Sequence, residues 1–353
     1  MICSAYKTCS FFIPSQDWYQ EENYCLSKQC ENYKNRSSEE TTVLAKETET
    51  REKEIASFSQ QLKDNNSLIS EKKSSLQGLK GQYLELEIRR DTLGFFKRKE
   101  RKRLNEEVLP ELDHKIRELT AEIKELKSKN DTFTAPYNDR GKEYAEKGDS
   151  KRAIKEFEDA LKINPDDAVA YYNLGVAYDE KGDSYKAIMN FNQSIKLNPN
   201  FTDAYYNRGC IYGDRNAYDQ AIADYDQAIR LNPNNSAAYT NRGAMYSRKN
   251  DIDRAIANFD KSINLNPNNA IVYLNRGLEY TKKKNHNQAI KDFNQAISLD
   301  PNDSGMYSAR GVEYAVNGYY SQAIADFETA LNINPNDAGA RLNLEAVHKN
   351  MKL

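Results

Sequence analysis

Histidine is nearly missing from this chain. The three present, His114, His286 and His348, stand more than 60 residues apart in 353, which leaves little from which to assemble a histidine-based catalytic centre. Neither sign of charge prevails: 51 Lys+Arg face 53 Asp+Glu, a net of −2, so overall attraction to nucleic acid is excluded as the main holding force. No apolar run approaches the ~18 residues of a membrane-spanning helix. There is no P-loop, dinucleotide fingerprint, G-x-S-x-G or H-E-x-x-H, and the expectation is a protein that is not an enzyme. The start, MICSAYKTCSFF, has no basic segment followed by a continuous apolar one and no lipid-attachment pattern, so the chain is expected to be cytoplasmic and intact from Met1.

Cysteine is also scarce, but four of the five fall in the first 30 residues. Cys3, Cys9, Cys25 and Cys30 are spaced C-x5-C-x15-C-x4-C. So short a segment needs a staple, and in a cytosolic chain four thiolates suit one structural, tetrahedral Zn²⁺. The loops differ from the common paired C-x2-C knuckle, and a disulfide framework or free thiols in a tail are the other readings. Residues 1–32 are taken as this Cys-rich head.

Residues 33–133 are Glu/Lys/Leu-rich and nearly free of proline. With Ile55 as position a, the a/d series runs Ile55, Phe58, Leu62, Asn65, Ile69, Lys72, Leu76, Leu79, Tyr83, Leu86, Arg90, Leu93, nine of twelve apolar. A second series, Leu109, Leu112, Ile116, Leu119, Ile123, Leu126, has no miss. The spacing predicts a coiled coil, folded as an antiparallel hairpin about residues 94–98, where Gly94 breaks the first helix, with Pro110 kinking or restarting the second. Pairing with a second chain, giving a homo-oligomer, is the alternative. The hairpin tip, Lys97 to Arg103, holds six basic residues in seven. It could meet nucleic-acid phosphates or an anionic membrane surface, or be a solvated end neutralised by Glu106 and Glu107.

From residue 134 the chain repeats itself every 34 residues, six times. With repeats starting at Thr134, Ala168, Thr202, Ser236, Ala270 and Ser304, position 4 is always Tyr, 8 always Gly, 11 always Tyr, 20 always Ala, 24 Phe or Tyr, and 32 always Pro. Positions 4, 8 and 11 form one face of a first helix; 20, 24 and 27 form one face of a second. Gly at 8 and Ala at 20 imply close helix approach, and Gly209→Leu should cost ~1–3 kcal/mol by overpacking. Pro at 32, within N-P-N or N-P-D, ends the second helix in a turn. Residues 338–353 begin another first helix with Arg341 and Glu345 where Tyr and Gly would recur, as a polar capping helix should.

This pattern resembles the tetratricopeptide repeat. The resemblance implies an all-α fold: a right-handed superhelical solenoid over 134–337, here preceded by the hairpin and the small head. It also implies that positions 2, 5, 6, 9, 12 and 13 face a concave wall that binds a peptide or helix of a partner protein, so the expected function is a scaffold or adaptor. Position 6 carries Asn173, Asn207, Asn241 and Asn275, similar to the asparagine ladder in the repeats of O-GlcNAc transferase; an amide both donates and accepts. Tyr172 and Tyr206 at position 5 are candidate anchors. Asp179 and Asp214, with Glu180 and Asp203, make one end acidic, and Arg248 and Lys282 make the other basic. The cationic clamp some family members use on chaperone C-termini is absent. Arg at position 7 in five repeats is expected to bridge between repeats. The competing function is a nucleic-acid-associated factor that uses the four-cysteine head and basic tip while the repeats recruit protein.

Overall fold

The structure is a computed structural model that describes residues 30–92 and 98–351. Cys3, Cys9, Cys25 and the Gly94–Lys97 part of the expected turn lie outside the described residues. Cys30 is the first residue of helix α1 (Cys30–Thr92). The chain divides into two compact portions, Met1–Gln61 and Leu62–Leu353. Of the first, the described part is the N-terminal half of α1, with Ile55 buried and Glu49 paired to Lys53 at 2.6 Å one turn on.

In the second portion, the remainder of α1 is answered by α2 (Arg98–Arg103), a π-helical turn (Leu104–Val108) and α3 (Leu109–Glu146). Burial on α1 recurs at Leu62, Asn65, Ile69, Lys72, Leu76, Leu79, Tyr83, Leu86 and Arg90, and on α3 at Leu109, Leu112, Ile116, Leu119, Ile123, Leu126 and Asn130. These are the heptad positions expected from the sequence, extended by Asn130. The two helices run antiparallel: Asn65 donates to Asn130 at 2.9 Å, Asn130 donates to Asn66 at 2.9 Å, Lys72 meets Glu122 at 2.6 Å, and Arg89 pairs with Glu100. The polar residues that interrupt the apolar series are therefore satisfied, two of them across the arm, while Arg90 pairs with its helix neighbour Asp91 at 2.8 Å.

Pro110 does not restart the helix. The preceding turn widens so that the Leu109 N–H reaches the Leu104 carbonyl five residues back, and the backbone stays right-handed helical through Arg103, Val108 and Leu109. The π turn stands immediately before Pro110, which has no N–H to donate back into it. The helix also runs straight through the boundary expected at 133/134. Pro136 lies inside it, and its heptad phase passes from Leu126 through Asn130 and Phe133 to Tyr137, which is 1% exposed. The last turns of the arm are the first helix of repeat one.

The other repeats are helix pairs: α4 (Ser150–Ile163) completes repeat one, followed by α5 (Ala168–Glu180) with α6 (Ser184–Leu197), and α7 (Thr202–Asp214) with α8 (Tyr218–Leu231). Next come α9 (Ser236–Arg248) with α10 (Ile252–Leu265), α11 (Ala270–Lys282) with α12 (His286–Leu299), α13 (Ser304–Val316) with α14 (Tyr320–Ile333), and a final α15 (Ala338–Met351). Within each pair the position-8 glycine faces the position-24 ring. A Cβ placed on Gly175, Gly209, Gly243, Gly277 or Gly311 would lie 2.6–2.9 Å from that ring, so the small residue is required by contact rather than by conformation. Left-handed backbone falls instead at position 15, on Gly148, Gly182, Asn216, Asn250, Lys284 and Gly318, with φ between 58° and 82°. At position 31 an Asn or Asp side chain accepts the N–H two residues on, across the proline, in all six repeats. This is the Asx turn that launches the next repeat.

The end of the stack matches its expectation. α15 buries Ala340 and Val347 against the last pair and leaves Arg341, Glu345, His348 and Lys349 exposed. From α5 onward, first helices of successive repeats pack against one another, while second helices of successive repeats lie farther apart. The stack therefore curves so that the first helices form its inner wall.

Candidate functional site: the wall of first helices

Wall residues were expected to offer a ladder of free amides. The structure turns one N–H of three of these amides back into the wall. Asn173, 7% exposed, donates to Asn138 at 3.2 Å, Asn207 to the Tyr172 hydroxyl at 3.0 Å, and Asn241 to the Tyr206 hydroxyl at 3.1 Å. Each is a staple from position 6 of one repeat to position 5 of the repeat before. The fourth, Asn275, follows a repeat with Thr240 at position 5, whose hydroxyl is taken by Ser262 and the Ser236 carbonyl. Stapling leaves Oδ1 of Asn207 and Asn241 without a hydrogen bond, so these positions keep an acceptor.

The tyrosines are not free anchors either. Tyr172 stacks on Phe201 at 4.7 Å and on Phe191 at 5.8 Å, and Tyr206 lies 6.0 Å from Tyr225. Burial, with Asp203 adding to it, pushes the Tyr172 phenol above its ordinary value. Tyr225 replaces Phe at position 24, and burial together with the Cys210 thiol holds its hydroxyl far above its ordinary value. Asn241 also reaches the Cys210 sulfur, at 3.5 Å. Cys210 is thus half-buried in the wall beside Tyr206 and Tyr225.

Charge on the wall follows the expected division with one change. Among the described residues Asp179, Glu180 and Asp214 form no ion pair. Loss of surrounding water, then the neighbouring Asp214 and Glu180, raises the Asp179 carboxyl above the usual range, and loss of water raises Glu180. At the other end Arg248 is exposed without a partner, but Lys282 is held by Glu279 at 2.6 Å and Ser247 at 3.1 Å. Glu279 is 2% exposed, and its Oε2 has no partner. One repeat on, Glu313 meets His286 at 2.7 Å; the residue matching His286 in the repeat before is Ile252.

Two features escaped the sequence reading. Ile271 and Leu278, on one face of α11 with the half-buried Leu274 between them, are 48% and 41% exposed. Val316 on α13 and Leu342 on α15 are each 66% exposed. The i, i+3 and i+7 spacing of Ile271, Leu274 and Leu278 is equally that of a core-facing stripe, so only their common exposure marks them.

Away from the wall, the position-7 arginines were expected to form salt bridges between repeats; Arg242 does so with Asp226 and Arg276 with Asp260, whereas Arg208 and Arg310 reach an asparagine of the previous repeat and Arg140 pairs with Glu156 of its own. Arg208 chelates Asp224 (2.6 and 2.8 Å) and reaches Asn192 in the previous repeat. Arg276 chelates Asp292 (2.7 and 2.8 Å) and Asp260 (2.6 Å), and Arg310 chelates Asp326 and reaches Asn294. Each also lies over its position-4 tyrosine ring. Burial would lower the Arg276 guanidinium, but the bonds to Asp292 and Asp260 outweigh it and hold it above its ordinary value. Repeat two has Leu174 in this place.

Among the described residues no group of His, Cys, Asp or Glu is arranged to hold a metal, and no helix is long and apolar enough to cross a membrane. No curated protein matches the sequence. Among solved structures, one described under the functional characterization of Pseudomonas aeruginosa pilF is 18% identical, covering 62% of this chain and 97% of that one with a TM-score of 0.54. PilW, a widely conserved type IV pilus biogenesis factor, is 18% identical over 60% of this chain and 98% of that one, TM-score 0.54. The Cut9–Hcn1 hetero-tetramer of the APC/C matches 61% of this chain and 42% of that one at 20% identity, TM-score 0.51. At such identities the likeness is one of fold. Family profiles described as tetratricopeptide repeat match residues 168–201, 202–235, 224–257, 270–303 and 304–337, and one described as TPR repeat matches 141–182 and 245–283. No catalytic family is among them, and with 141–337 matched throughout, the chain belongs to the tetratricopeptide repeat family.

Proposed function

We propose that this protein is a non-enzymatic scaffold that holds a segment of a partner protein along the wall of first helices. The observation that carries this reading is the contrast between the two faces of those helices. One face is closed by ring-on-glycine packing and arginine bridges. The other leaves the Asn207 and Asn241 acceptors, an unpaired acidic group and exposed aliphatic side chains within a single concavity, which is the mix of polar and apolar groups a peptide needs. Of the residues expected to bind, Asp179, Asp214 and Arg248 keep free charges, Asn207 and Asn241 keep acceptors, and Tyr172, Tyr206, Asn173 and Lys282 act mainly by shaping the wall.

A photocrosslinking amino acid placed at Asp214 or Ile271 in the full chain tests this in native lysate, with Tyr185, 69% exposed on the second helix α6, as control. Partner adducts from the wall positions and none from Tyr185 are expected. Equal adducts from all three would defeat the reading. One structural zinc on Cys3, Cys9, Cys25 and Cys30 belongs to the same proposal. About one zinc per chain after reductive purification, lost on Cys9→Ser with Cys25→Ser, is the expected metal content.

A further inference from the structure

We infer that the wall is divided along its length and takes an amphipathic protein segment whose Lys or Arg side chains lie over α5 and α7 and whose bulky aliphatic side chains seat on α11. This deepens the reading above and rests on it. Position 13, one per repeat along the edge of the wall, runs Glu146, Glu180, Asp214, Arg248, Lys282, Val316, so the edge changes from acidic to basic to apolar within six repeats.

At the acidic end, Asp179 and Glu180 on α5 and Asp214 on α7 have no cationic partner among the described residues. Lys181 and Arg215, each one residue beyond at the turns around Gly182 and Asn216, form no ion pair with them. Their crowding is unfavourable, since the Asp179 carboxyl is raised by lost water and by its acidic neighbours. A cation laid over the cluster relieves that repulsion, and an anionic segment adds to it. Three repeats on, Ile271, Leu274 and Leu278 occupy one face of α11 at i, i+3 and i+7, the spacing of a binding seam. Val316 and Leu342 extend the apolar ground on the following two first helices. The charge of the acidic end and the exposed seam together select a partner that is cationic at one end and aliphatic at the other.

The span fits a short segment. Packed helices lie ~8–10 Å apart, so α5 to α11 is about 25–30 Å, which about nine extended residues or a helix of roughly 18 residues covers. Arg248, exposed between the two ends, disfavours a partner that is basic throughout.

The test pans a phage-displayed library of random 16-residue peptides on the full-length chain, after depletion on the double variant Ile271→Asp with Leu278→Asp. Both sites are exposed, and thermal melts followed by circular dichroism confirm that the variant folds; Val316→Asp replaces it if it does not. Recovered peptides are expected to carry two or more Lys/Arg and two or more Leu, Ile, Val or Met in separate clusters. A synthetic representative should lose about tenfold or more in affinity on the double variant and, independently, on Glu180→Lys with Asp214→Lys. Recovered peptides that are acidic, or that bind the Glu180→Lys/Asp214→Lys chain undiminished, overturn the division while leaving the wall as the binding surface. No recovery from any pool overturns both.

Discussion

The arm and the repeat stack are both antiparallel helix pairs, yet they are held in different ways. In the arm, few seam residues are fully buried; Leu76, Leu79 and Leu86 remain partly exposed, and polar locks set the register: Asn65 and Asn66 on Asn130, and Lys72 on Glu122. In the stack, the position-24 rings are at most 1% exposed and each presses on a glycine, while half-buried arginines tie repeats three to six each to the one before. A seam of half-exposed leucines gives up little per residue. A closed ring-on-glycine contact leaves no route for relaxation, so any change of volume there is felt in full.

The sharpest way to break the comparison is Phe293→Ala in the stack, expected to cost about 3–5 kcal/mol in urea unfolding followed by circular dichroism; a loss comparable to one in the arm would erase the distinction. Next, Arg276→Met strands Asp292, 3% exposed, and should cost about 3 kcal/mol. Arg242→Met, facing the neutral Asn258, should cost clearly less in the same titration. Asn130→Ala in the arm removes the lock at the cost of about 1 kcal/mol. Its clearer signature should be faster amide exchange on α1 and α3, with repeats two to six unchanged. Smallest of all is Asp179→Asn. The folded carboxyl titrates above its unfolded value, so its penalty appears as pH rises through that window and is complete above it. The substitution should therefore raise the melting temperature slightly at neutral pH and not at pH 3, a difference of a few tenths of a kcal/mol for so exposed a group.

Much of this was legible before any coordinates. The 34-residue period fixed the helix pairs, the close approach at Gly and Ala, the Asx turn at Asn-Pro, the polar end helix and the arginine bridges, because each depends on residues near in sequence or repeated in phase. The heptad series marked the arm face correctly as far as Leu126. Its continuation through Asn130 and Phe133 to Tyr137 was missed because the 34-residue frame starts at Thr134 and was taken to open a new element, whereas in the fold one helix runs on past Pro136. The asparagines were read as free since their partners, Asn138, Tyr172 and Tyr206, sit 35 residues away, a distance at which pattern gives no pairing.

By itself the sequence determined what periodicity can encode: two helical regimes, their faces, and the places where small residues, prolines and turns must fall, since these follow from 3.5- and 3.6-residue geometry and from the repeat length. Only the tertiary structure decided which polar groups on the wall remain unspent. Satisfaction of a donor or exposure of a leucine depends on neighbours that curvature brings from the adjacent repeat, and so an N–H of Asn207 and of Asn241 was bound inside the wall while the seam of Ile271, Leu274 and Leu278 was left open.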